Sequence, residues 1–369
     1  MNRDYYHLEE LCLLIMGQSP SSDSYNSNGK GLPFFQGKTE FGKVYPTAVK
    51  WCTSPKKNAQ AGDILISVRA PVGPTNLAKE QCCIGRGLAA IRPIPNKIDR
   101  DYLWLQLQYL ERYLVEKGQG STFEAIGINE LKVLQIYAPD IAIQKRIATQ
   151  LKAQLGEVET AHKATELQKK EIQNLANAII YQSIKERKTN RYNLSKVLDE
   201  IKKGIGENWA DYPVLGATRN GLALAKEPPG KNPQRYKPVV PGTVFYNPMR
   251  ILIGSIAFVD DDDMHGITSP DYVVLQGKEG LLDSRWFYYW LRSPLGEQCI
   301  SSLARGAVRE RMLFNRLADG EIELPEYTIQ KTASKALKEL KHIKMNIERK
   351  MDEISVLPNR LLTQAFNID

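Results

Sequence analysis

No hydrophobic run in this chain of 369 residues approaches the roughly 20 residues needed to cross a bilayer, which excludes a helical membrane anchor. The opening Met1-Asn-Arg-Asp-Tyr-Tyr-His7 has no signal-peptide pattern, because the apolar stretch Leu11 to Met16 is too short and follows two glutamates. Cysteine is scarce: Cys12, Cys52, Cys82, Cys83 and Cys299 form no C-x-x-C pair, and an odd count makes no disulfide framework. A reduced, cytoplasmic protein is therefore expected. Histidine is scarcer still, and His7, His162, His265 and His342 are dispersed, so no metal-ligand spacing exists.

Catalytic signatures are absent as well. No G-x-x-x-x-G-K-[ST] phosphate loop occurs. Asn247-Pro248-Met249-Arg250 lacks the second proline and the aromatic residue of an amino-methyltransferase tetrapeptide, and reads as a turn. Pro270-Asp271 followed by Gln276-Gly277-Lys278 is too tightly spaced for a nuclease site, and Val273-Val-Leu275 reads as a core strand. The acidic run Asp260 to Asp263 with His265 could bind a cation, but consecutive carboxylates repel, so a solvated loop is expected there.

What the chain does have is an ordinary globular composition, 42% hydrophobic and 25% charged. A net charge of +8 and a pI near 9.0 hint at a nucleic-acid partner. The distribution weakens the hint, since no segment is strongly basic: residues 1–139 hold 16 basic against 13 acidic residues.

An internal repeat is the strongest signal. At an offset of 186 residues, Gly120, Asn129, Leu131, Ile136, Pro139, Ile143, Gln144, Lys145 and Leu151 are matched by Gly306, Asn315, Leu317, Ile322, Pro325, Ile329, Gln330, Lys331 and Leu337. Elsewhere the register slips. Gly62-Asp-Ile-Leu-Ile-Ser67 resembles Gly242-Thr-Val-Phe-Tyr-Asn247, a glycine turn feeding a strand, and Tyr102 to Leu107 resembles Trp286 to Leu291, a helix in both halves.

Each repeat ends in a long helix. A 3.5-residue spacing runs through Ile147, Leu151, Gln154, Val158, Ala161, Thr165, Gln168, Ile172, Leu175 and Ile179, and again through Ala333, Ala336, Leu340, Ile343, Ile347, Ile354 and Leu357, stopping near Pro358. These are rods of about 70 Å and 45 Å. A narrow apolar stripe needs a partner helix, so the two are expected to pack as an antiparallel coiled coil. Between them, short strands with Gly/Pro punctuation and one or two helices indicate α+β lobes. The expected organisation is a first lobe at 1–139, a first long helix at 140–190, a second lobe at 191–325 and a second long helix at 326–369, with a pseudo-two-fold internal repeat.

Lobe, helix, lobe, helix without a catalytic signature resembles the specificity subunit of type I restriction–modification systems. The resemblance covers essentially the whole chain, and is carried by Gly17-Gln-Ser-Pro-Ser21, Gly31-Leu-Pro-Phe-Phe-Gln-Gly-Lys38, Gly62 to Arg69, Gly118-Gln-Gly-Ser-Thr122 and Pro139 to Gln150. It implies two target-recognition lobes, each reading half of a bipartite, asymmetric site on double-stranded DNA. The helices would set the spacer and dock two modification subunits. Restriction subunits would complete the complex, and S-adenosylmethionine, ATP and Mg2+ would sit on the partners, with no cofactor on this chain. The second lobe departs from the pattern: it has Ala304-Arg-Gly-Ala-Val308 in place of the Gly-Ser-Thr turn, and its opening Lys203-Gly-Ile-Gly206 lacks Gln-Ser-Pro.

Direct readout needs polar side chains at base edges, with basic and hydroxyl groups on phosphates. Turns at strand ends supply them. The candidates are Gln18, Ser19, Gln36, Lys38, Arg69, Arg86, Ser121 and Thr122 in the first lobe, and Asn247, Arg250, Thr268, Ser269, Arg305 and Arg309 in the second. The alternative at each position is a solvated turn residue or a local cap. Two other functions compete: a nuclease built on Asp260 to Asp263 with His265, and a coiled-coil adaptor that binds only proteins.

Overall fold

A computed structural model describes residues 5–111, 113–115, 125–185, 189–304 and 311–366. By contacts the chain divides into two compact units, Met1–Lys163 with Asp352–Asp369, and Ala164–Met351. Both mix strands and helices.

Unit one is built on an antiparallel sheet in the order Cys12–Met16, Leu88–Pro93, Ile64–Ser67, Thr75–Leu77. Side chains alternate across a strand, and here both faces are covered. Ile64, Ile66, Ala89 and Ile91 face the helix Arg100–Tyr109, while Leu65, Leu88 and Ala90 face a second, five-stranded sheet. The strand Tyr5–His7 pairs with Gln135–Tyr137, just before the first long helix, Ile141–Lys185.

Unit two repeats this frame. Its sheet has the order Leu198–Glu200, Val273–Gly277, Thr243–Tyr246, Ile256–Phe258, and Asn190–Asn193 pairs with Glu321–Leu324 ahead of the second long helix, Tyr327–Phe366. Helices Ser284–Leu291 and Pro294–Leu303 cover one face. The other face holds the hairpin Leu215–Thr218/Gly221–Leu224 and the pair Lys237–Val239/Gly266–Thr268 instead of a five-stranded sheet. Both units thus share a frame and differ in what is packed on it.

The repeated glutamine is explained by this frame. Gln144 Oε1 accepts from the Asp99 N–H at 2.7 Å, and its Nε2 donates to the carbonyls of Pro139 (2.6 Å) and Lys97 (3.3 Å). Gln330 does the same with the Asp283 N–H (2.9 Å) and the Pro325 and Leu281 carbonyls (2.9 and 3.0 Å). Both glutamines are buried, and Asp99 and Asp283 are the N-caps of the lobe helices. One amide therefore locks the start of each long helix to the lobe that precedes it. Gln330→Leu leaves three backbone groups unpaired, two of them buried, and is expected to cost about 2 kcal/mol, read by urea denaturation; a loss under about 0.5 kcal/mol would contradict the lock.

Two expectations about the helices are corrected. The second helix does not stop near Pro358 but continues to Phe366, 40 residues or about 60 Å. Proline removes one backbone donor inside the helix, yet the turns beyond it are anchored: Leu362 and Phe366 are buried in the first core, with the Phe366 ring 5.4 Å from that of Tyr102. The apolar seam is also only partly the expected one. Leu151, Thr165, Ala333, Leu340 and Ile347 are buried as expected, but Leu175, Ile343, Ala161 and Ala336 are exposed, and Ala148, Ala176, Ile180 and Leu337 are buried off that spacing. These helices pack on the lobe cores as well as on a helix, so no strict 3.5-residue stripe is kept. In unit two, Ala176 and Ile180 share one cluster with Leu337 and Leu340, and Lys169 lies 3.0 Å from Glu348.

Candidate nucleic-acid interface

In the first lobe, three glycines bring the candidate residues together. A Cβ on Gly17 would lie 2.1 Å from the Gly85 carbonyl oxygen, and one on Gly87 would lie 2.1 Å from that of Gln36. Only glycine permits such interlocking of backbones. Hydrogen bonds complete it: Gln18 N–H to Ile84 O (3.0 Å), Gly85 N–H to Phe35 O (2.8 Å), Val68 N–H to Gly87 O (2.9 Å), and Arg86 N–H to Ser19 Oγ (3.3 Å). Gln18, Ser19, Gln36, Arg86 and Arg69, next to Val68, thereby share one end of the main sheet, all but Ser19 exposed. Beneath Arg86, the Tyr25 ring stacks on Phe34 at 4.7 Å, and its hydroxyl donates to Pro20 O. The rim is rigid and carries two guanidinium groups. Lys38, also exposed, opens a short turn and acts on Glu111, whose carboxyl burial pushes up and the Lys38 charge partly pulls back. Ser121 and Thr122 lie outside the described residues.

The second lobe treats its candidates differently. Thr268 is fully buried in the strand Gly266–Thr268, so it cannot reach a duplex; this corrects the reading that placed it at an exposed strand end. Strand register turns its side chain inward, where its hydroxyl has no partner. Asn247 caps its own turn, Oδ1 accepting from Met249 N–H at 3.0 Å, and Ser269 Oγ accepts from Asp271 N–H at 3.4 Å. Both fit the local-cap alternative. Arg250 is exposed, and Arg305 and Arg309 lie outside the described residues.

Sequence reasoning missed the cations that stand at the matching end of this lobe. Lys203 precedes Gly204, whose Cβ would lie 2.5 Å from Gln234 O, and Ile205 N–H donates to Tyr236 O at 2.7 Å. The exposed Lys203 and Arg235 are neighbours there. Lys237 donates to Tyr272 O at 2.6 Å, and burial pushes its ammonium below the usual range although Glu200 and Asp271 oppose the shift. Arg311 lies 2.9 Å from Asp271. The signal in the sequence is weak, because Gly204 stands one residue out of the 186-residue register from Gly17.

The acidic run is only partly a solvated loop, with Asp261 and Asp262 exposed but Asp260 buried. Asp260 is 1% exposed and bound to Arg285, with Lys341 at 3.5 Å; Asp263 pairs with Lys341 at 2.7 Å and Asp261 with Lys338 at 3.2 Å. Repulsion among the carboxylates is offset by three cations from two helices. Asp260, Asp261 and Asp263 thus serve to hold the loop against these helices. Among the described residues no group of three or more His, Cys, Asp or Glu could hold a metal ion, and no helix is long and apolar enough to cross a membrane.

Residues 2–169 match the family described as "Type I restriction modification DNA specificity domain". Over those residues the chain is similar to a type I specificity domain. Over 170 residues it is 44% identical to a type I restriction enzyme MjaX specificity subunit of Methanocaldococcus jannaschii, an alignment covering 45% of this chain and 40% of the relative. The chain thus spans less than half the length of that curated relative. It is also similar to the HsdS subunit of Thermoanaerobacter tengcongensis, at 46% identity over 42% of this chain and 38% of that one, with a TM-score of 0.39. A crystal structure of a type I restriction–modification system S subunit from M. genitalium shares the fold over 99% of this chain and 96% of its own, at 14% identity and a TM-score of 0.54. The matched residues include the glycine-braced rim, and the likeness in fold extends beyond them through the second unit.

Proposed function

We propose that the whole chain is the DNA-specificity subunit of a type I restriction–modification enzyme. Each lobe reads one half of a bipartite, asymmetric site on duplex DNA. The long helices pair as an antiparallel coiled coil, fix the spacer and dock two modification subunits; restriction subunits join that complex in the cytoplasm. The chain itself carries no catalysis, and S-adenosylmethionine, ATP and Mg2+ belong to the partners.

One observation carries this reading: a frame of identical strand order and identical glutamine lock occurs twice, with different side chains on its rims. An invariant frame with variable readers suits a two-part site, because the frame sets position while the rims set sequence. The pairing of Lys169 with Glu348 supports helix association.

The isolated chain is expected to show neither methyl transfer nor cleavage, and to direct adenine methylation to a bipartite site once modification subunits are added. Exchanging residues 191–325 for the second lobe of another family member should change one half of the methylated sequence. A change in both halves, read by sequencing modified adenines, would overturn the one-lobe, one-half-site reading.

A further inference from the structure

We infer that the turn Met249–Ile253 of the second lobe reads bases by apolar contact, with thymine methyl groups in the major groove as its target; this rests on the DNA-specificity role proposed above. The turn occupies a defined place in the frame. Ile126 N–H donates to Val68 O at 3.0 Å in the first lobe, and Met312 N–H donates to Pro248 O at 3.0 Å in the second. Val68 and Pro248 are therefore equivalent, and Met249 stands where the first lobe presents Arg69.

The turn exposes three large apolar side chains, Met249 at 63%, Leu252 at 55% and Ile253 at 52%. It is not slack. Arg219 Nε donates to Ile253 O at 3.0 Å, and Arg292 Nη1 donates to Gly254 O and Ile256 O at 3.1 and 3.0 Å. Gly254, at φ +81°, closes the turn in the left-handed region. Asn247 holds the Met249 N–H, and the Arg250 carbonyl accepts from Ile253 and Ser255. So many of the turn's polar backbone groups are engaged that what it offers a base edge is apolar surface. Among the four bases, only thymine presents a methyl group in the major groove. The exposed Arg219 and Arg250 flank the tip, as contacts to the adjoining phosphates require. An apolar tip pre-ordered by arginines pays little entropy on docking.

The test uses the full chain assembled with its modification subunits. Duplexes carry the second half-site with thymine or with deoxyuridine, which lacks only the methyl group. The wild-type complex should bind the deoxyuridine duplex roughly 3–5-fold more weakly at a contacted position, the value of one buried methyl. A Met249→Ser, Leu252→Ser, Ile253→Ser variant should lose that discrimination and relax the second half-site, while the first half-site is unchanged; Met249→Leu should keep it. Because the residues are exposed, an unchanged Tm checks the fold. Equal binding of thymine and deoxyuridine duplexes by a wild-type complex that binds DNA would overturn this inference alone. Loss of modification-subunit assembly with thymine discrimination intact would assign the turn to a protein contact instead. Failure of the wild-type complex to bind any duplex would overturn the specificity role with it.

Discussion

Replacing Arg285 by methionine is expected to destabilise the second unit by about 3–5 kcal/mol, the usual consequence of orphaning a buried charge. Asp260 is 1% exposed and receives both Arg285 Nε, at 3.1 Å, and Nη2, while Arg285 Nη1 also donates to Ser334 Oγ at 3.2 Å. Without the guanidinium, the carboxylate keeps Lys341 at 3.5 Å and the Asp261 N–H at 2.8 Å but loses both side-chain hydrogen bonds. Asp260→Leu combined with Arg285→Met should cost less than Arg285→Met alone, since no charge is then left unpaired.

The pH dependence has a defined sign. Burial pushes the Asp260 carboxyl up, but the hydrogen bonds from Arg285 and the Asp261 N–H, with the charges of Arg285 and Lys341, outweigh it and leave the group below the usual carboxylate range. A depressed folded value means that the stabilisation is fully present above the unfolded pKa of about 3.9 and disappears as pH falls through the lower folded value. Acid unfolding followed by the emission of the buried Trp286, whose Nε1 donates to Ser183 Oγ at 2.9 Å, should therefore begin at higher pH in the Arg285→Met protein. A thermal and acid stability equal to wild type would show that the network is not structural.

The second large effect concerns DNA. Removing both Arg69 and Arg86 by alanine substitution is expected to weaken binding by the assembled complex about 10–100-fold at 0.15 M salt. The slope of log K against log salt should fall by roughly two, since each phosphate contact contributes close to one. Both side chains are exposed on the glycine-braced rim, and both alter nothing in the core. Lysine at the same positions separates the roles. Retained slope with retained half-site sequence means phosphate contact, whereas retained slope with a relaxed first half-site means bidentate reading of guanine, which lysine's single ammonium cannot reproduce. An unchanged slope in the alanine protein would remove both arginines from the interface.

Legibility in the sequence followed the range of the interactions. Lobe strands and helices such as Ile64–Ser67 and Ser284–Leu291 were visible because local periodicity and turn residues encode them. Gln144 and Gln330 were visible as a repeat, but their chemistry was not, because their partners lie 45 and 47 residues away. Thr268 was misplaced because a strand end looks the same in sequence whether its side chain points outward or inward. The apolar spacing of the second helix faded near Pro358, although its bounds were drawn to 369, because its last anchor, the pocket around Tyr102 and Tyr109, is distant along the chain.

The amino-acid order by itself thus determined the repeat and the long helices, since both depend on residue identity and local spacing. Only the tertiary structure decided which polar groups are free to act. Asp260 and Arg285, 25 residues apart, neutralise each other, while Gln36 and Arg86 are set on one rim by glycines that let two backbones touch. Burial and charge pairing are properties of neighbours in space, and no local pattern records them.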